Sequence, residues 1–139
     1  MRYFKTVIAI LLVSIVPSTS FAFDSDVIQL AKSKQLIAAA NKFSQLIDIS
    51  DYGGCSLAYA TALGLWGSGR LQDKNSQLMW EAIRNGLETY RQNFIRQYRT
   101  EEPLGDVIKQ MSGAYFNANG VTIAKSCMDI MNRAASTVR

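Results

Sequence analysis

The sequence predicts an all-α protein, a compact bundle of four or five helices closed by one disulfide. Three observations carry that prediction. Apolar residues recur at spacings of three and four in several long segments, whereas runs that alternate apolar and polar residues are short. Proline occurs only at positions 17 and 103, so little interrupts a helix. Finally, the chain reads as exported and carries only two cysteines, Cys55 and Cys127, which an oxidising compartment would pair.

Export is read from the first 22 residues, MRYFKTVIAILLVSIVPSTSFA. Arg2 and Lys5 open the chain, an apolar run follows from Val7 to Val16, and Pro17 leads through polar residues to Ala22. This is the order of a secretory signal peptide, with Ser20 and Ala22 as the small residues before the cut and Phe23 as the mature start. The alternative, an N-terminal anchor, meets an apolar run shorter than the roughly 20 residues a spanning helix needs. No cysteine stands at the cleavage point, which argues against a lipoprotein. The expected location is the periplasm, and residues 23–139 are expected to form a single helical domain.

Removing the signal also changes the charge. The whole chain carries a formal +4, but with Arg2 and Lys5 gone 13 basic side chains face 11 acidic ones. So small an excess gives no reason to expect nucleic acid as a partner. No later segment is apolar enough to span a bilayer, so no integral membrane segment is expected after signal removal.

The cysteines lie 72 residues apart, and a cross-link of that span contributes roughly 4 kcal/mol in the chain-entropy model. A redox thiol would prefer a CxxC motif, and a metal ligand would need partners in a chain that contains no histidine. A structural Cys55–Cys127 bond is therefore expected, with no metal and no cofactor.

The helices are read in order. The first is expected from about Asp26 to Ile47, after the capping candidates Asp24 and Ser25, with Val27, Leu30, Ala31, Ala38, Phe43, Leu46 and Ile47 facing inward. DISDYGG then breaks it, on the reading that Gly53 and Gly54 end a helix. The second helix, Cys55 to Trp66, is apolar almost all round and should be buried on every side. After the flexible loop GSGR, a third helix from Asn75 to Arg99 carries the stripe Met79, Ile83, Leu87, Tyr90, Phe94 and Tyr98, with Arg84, Arg91, Arg96 and Arg99 on its other sides. Pro103 opens a fourth helix to Phe116, with Leu104, Val107, Ile108, Met111 and Tyr115 inward. NANG makes a turn, and the last helix, Val121 to Thr137, aligns Ala124, Cys127, Met128, Met131 and the following Val138. Short connections suit antiparallel neighbours.

Catalytic machinery is hard to find in this sequence. Without histidine, Ser/His/Asp and Cys/His arrangements are excluded, and a paired cysteine is no nucleophile. Glu81 and Glu88, seven residues apart on one helix face, are geometrically compatible with glycoside hydrolysis, but pairing with Arg84 and Arg91 explains them more simply. GSG at 67–69 lacks the lysine and the strand that a phosphate cradle needs. A protein-binding role is expected instead of an enzymatic one. The loop 66–75 supplies the candidate contact residues Trp66, Ser68, Arg70, Asp73 and Lys74, and YRTEEPLGD at 98–106 is a second candidate.

The segments GGCSLAYATALGLW and AKSCMDIMNRA, in a small exported helical chain, resemble in layout the periplasmic immunity proteins that protect bacteria from type VI secretion amidase effectors. The resemblance implies a non-enzymatic helical protein, often dimeric, that places a loop in the active-site groove of a peptidoglycan amidase. No inhibitory loop motif of that family can be matched residue by residue. Two other classes fit the same features, a periplasmic acid-stress chaperone and an accessory subunit of a secretion or conjugation apparatus. The scattered carboxylates speak against the chaperone, which needs a cluster that titrates together.

Overall fold

The structure, a computed structural model, describes residues 34–117 and 120–138. The signal peptide, its cleavage point, the start of the first helix with Asp24 and Ser25, and Ala118–Asn119 of the NANG turn lie outside the described residues. The described chain forms α1 (Lys34–Leu46), α2 (Ile49–Gly67), α3 (Lys74–Tyr98), α4 (Glu102–Asn117) and α5 (Gly120–Ser136). The fold is thus the all-α bundle the sequence predicts.

α2 and α3 run antiparallel, and α4 runs in the same direction as α2, with Gly53 facing Val107 and Met111. Tyr52 near the start of α2 stacks on Tyr90 in the second half of α3, and Thr61 and Tyr115 meet near the ends of α2 and α4. α1 packs along α3 and α5, while α2 is the hub that touches α3, α4 and α5. The core fills the space between them, and Phe43, Met79, Ile83 and Met131 are its largest fully enclosed side chains. Each such burial is worth about 1.5–3 kcal/mol.

Cys55 of α2 and Cys127 of α5 are bonded, with Cα atoms 5.8 Å apart and both side chains buried. The cross-link therefore ties the hub helix to the C-terminal one. Among the described residues there is no other cysteine.

Three expectations need correction. First, α2 begins at Ile49 and not at Cys55, so Gly53 and Gly54 lie inside a helix. A capping box starts it: the Asp48 carboxylate accepts from the Asp51 N–H at 2.8 Å, and the Asp51 carboxylate accepts from the Asp48 N–H at 3.1 Å. The two glycines serve close packing. A Cβ on Gly53 would stand 3.1 Å from Met111 Sδ, and one on Gly54 3.3 Å from Ile123 Cγ2. Second, α2 is not buried all round. Three helices cover it on one side and leave Ala60, Leu63 and Gly64 exposed. Third, the inward stripe of α1 is Leu36, Ala39, Ala40, Phe43 and Ile47, with Leu46 exposed and Ala38 only partly covered. The register follows α3, where Gly86 makes room for Phe43 and for the Ala40 carbonyl.

Candidate binding surface

The stripe of α3 starts in the core and leaves it. Met79, Ile83 and Leu87 are buried, Tyr90 and Phe94 are half-covered, and Tyr98, expected inside, is 55 % exposed. The reason is length. Tyr90 meets Tyr52 in the first turns of α2, and the eight residues from Tyr90 to Tyr98 carry α3 about 12 Å further, beyond its contact with that helix. The aromatic rings follow one another outward. Tyr52 and Tyr90 stack with centroids 5.3 Å apart, Tyr90 and Phe94 follow at 6.3 Å, and Phe94 and Tyr98 at 4.5 Å. The outermost ring thus rests on a ladder rooted in the core.

Hydrogen bonds and ion pairs fix the turn that follows. Arg91 bonds Glu88 at 3.0 Å and reaches across to Glu101 at 3.3 Å, so the α3–α4 connection is clamped to the helix it leaves. Glu101, then Glu88, push the Arg91 guanidinium further up, and it holds its charge throughout. The Arg99 N–H donates to the Ile95 carbonyl at 2.8 Å, Thr100 Oγ1 accepts from the Glu102 N–H at 3.2 Å, and Leu104 is buried. Arg99 itself adopts φ 60°, the left-handed conformation. Burial raises the phenols of Tyr52 and Tyr90 above the usual tyrosine range at the foot of the ladder. Burial, ahead of the repulsion from Asp48, likewise raises the Asp51 carboxyl.

The first-choice loop residues have other employment. Ser68 closes α2, its N–H donating to the Gly64 carbonyl and its hydroxyl to the Leu65 carbonyl. Asp73 caps α3 by accepting from the N–H and the hydroxyl of Ser76. Trp66 lies half-buried and edge-on to Tyr59, its Nε1 enclosed without a hydrogen-bond partner among the described residues. Arg70 and Lys74 are exposed, and neither forms an ion pair among the described residues. The structure therefore brings Ser68 and Asp73 into helix caps and leaves Arg70 and Lys74 at the surface. Bonds also hold the segment 67–74 more closely than its glycines suggest: Arg70 and Leu71 N–H groups both donate to the Leu65 carbonyl.

The chain has been compared with protein-family models, curated proteins and solved structures. It matches none of them. The carboxylates considered for catalysis separate in the structure: Glu88 is engaged by Arg91, while Glu81 is exposed on the same helix without an ion pair among the described residues. The described residues contain no group of three or more His, Cys, Asp or Glu placed to hold a metal ion, and no helix long and apolar enough to cross a membrane. Sequence reasoning placed 98–106 among the loops but assigned Tyr98 to the core. The available signal was an arginine, in place of a glycine, directly after a long helix.

Proposed function

We propose that the protein is an exported binding protein, an immunity protein that inhibits a cell-wall-degrading amidase toxin in the periplasm by protein–protein contact and without catalysis of its own. One observation carries the binding reading: a half-exposed tyrosine, braced by a ladder of aromatic rings, stands beside an arginine on a clamped turn. Tyrosine and arginine are, with tryptophan, the residue types enriched at interface hot spots, and a contact group already held in place loses little entropy on binding. The amidase, as the class of target, follows from the layout of the two cysteine segments and from the expected export.

The test is capture followed by inhibition. Tagged protein retained in the periplasm of its own source is purified and its stoichiometric partner identified. If that partner is a peptidoglycan amidase, the pure protein should abolish its release of peptide from cell-wall substrate at equimolar ratio. A partner that keeps full hydrolytic activity in the complex contradicts the inhibitor. Recovery of many weak clients, with aggregation suppressed at low pH, would replace it with a chaperone.

A further inference from the structure

Resting on that reading, we infer that the α3–α4 turn, with Tyr98 and Arg99 at its tip, is the element that enters the partner, and that the partner presents a carboxylate beside an apolar pocket. Arg99 is the only non-glycine residue at positive φ among the described residues. Where the α2–α3 connection needs the same backbone region, it uses Gly69 at φ 77°. An L-residue with a Cβ is disfavoured there, so a glycine at 99 would serve the turn at lower cost. The chain keeps an arginine instead, in a conformation that neighbouring bonds impose. A strained residue on an otherwise ordinary helix end points to a task outside the fold.

Charge at the turn narrows the task. Arg91 is satisfied by Glu88 and Glu101, Arg96 hydrogen-bonds Asn93, and Glu102 sits in the first turn of α4, where the helix dipole favours a carboxylate. Arg99 has no ion pair among the described residues. Arg96, hydrogen-bonded to the neutral Asn93, likewise has no ion pair among the described residues, but Arg99 is the cation in the turn itself, and its guanidinium suits a carboxylate in a two-pronged contact. Beside it, the Tyr98 ring rests on Phe94 and offers its remaining surface outward, which suits an apolar pocket with room for one ring.

Arg99→Gly is the discriminating variant, because it relieves the backbone and removes only the side chain. Against the amidase that the wild-type protein inhibits, Arg99→Gly should weaken inhibition at least about tenfold and Tyr98→Ala at least about thirtyfold, while Arg70→Glu, on the 67–74 loop, changes it less than about threefold. Thermal melts confirm that each variant is folded. Inhibition retained by Arg99→Gly, or lost in Arg70→Glu alone, overturns the inference and leaves the inhibitor intact. If the wild-type protein inhibits no amidase, the reading above falls, and a second probe decides the inference. An acidic glutamate–tyrosine copolymer, titrated into isotope-labelled protein, should shift the backbone amides of residues 96–101, and Arg99→Gly should abolish those shifts. Shifts centred on 70–74, or no shifts, overturn it.

Discussion

At Gly86 the two consequences of an added methyl group oppose each other. Alanine in a helix interior is favoured over glycine by about 1 kcal/mol. Yet a Cβ there would lie 2.6 Å from Cδ2 of Phe43 and 2.9 Å from the carbonyl oxygen of Ala40. Phe43 is fully enclosed and the carbonyl belongs to a helix backbone, so neither can step aside cheaply. Overpacking of this kind costs about 1–3 kcal/mol, and it outweighs the propensity gain. Gly86→Ala should therefore lower the urea midpoint. Gly113 supplies the comparison, since it is exposed in α4 and a Cβ on it meets nothing within 4 Å. Gly113→Ala should raise stability by about 0.5–1 kcal/mol. Equal effects at both positions would mean that α1 does not seat against Gly86. The same residue-level logic separates the two positive-φ positions, one filled by a glycine and one by an arginine.

At the scale of the element, the ladder joining α2 to α3 has a signature in alkaline solution. Burial raises the phenols of Tyr52 and Tyr90, so the folded protein holds these protons more tightly than the unfolded chain. Their contribution to stability is fully present below the ordinary tyrosine pKa of about 10 and is lost as the pH rises through the raised folded values. In a tyrosinate absorbance titration, these two rings should ionise late, and Tyr52→Phe and Tyr90→Phe should each remove part of the late fraction. Titration of that fraction at its ordinary pH would show the ladder open to water. Sequence reached the ladder only in part. Spacing placed Tyr90, Phe94 and Tyr98 on one stripe, and the GSGR loop, Pro103 and the NANG turn placed the bounds of α3, α4 and α5 within a residue, because such breakers are local signals, whereas reading Asp73 as a loop contact misses the cap it makes. Spacing could not show where that stripe loses its cover, which depends on the position of a neighbouring helix. The start of α2 was misjudged for the same kind of reason: Gly53 and Gly54 answer to Met111, Val107 and Ile123, side chains 54 or more residues away in the chain.

For the whole molecule, the decisive bond is the one between the hub helix and the last helix. Packing alone already links α1 to α3 and α5, and α4 to α2, so the bundle does not depend on the disulfide for its topology. What the bond restricts is the unfolded chain, across 72 residues. That restriction is worth roughly 4 kcal/mol, a large share of the 5–15 kcal/mol by which a domain of this size is ordinarily stable. The pair Cys55→Ala and Cys127→Ala should accordingly remain helical by circular dichroism but unfold at a much lower urea concentration. Its denaturation slope should be steeper, because an uncrosslinked unfolded chain exposes more surface. The two readouts separate causes: a lower midpoint with an unchanged slope would place the loss in the folded core, where both sulfurs are buried, and a steeper slope places it in the unfolded ensemble. An unchanged midpoint would remove the disulfide from the account of stability. Tyr98 and Arg99 lie at the end of α3, which is neither of the helices this bond joins, so the variant should still bind the proposed partner at temperatures where it is folded.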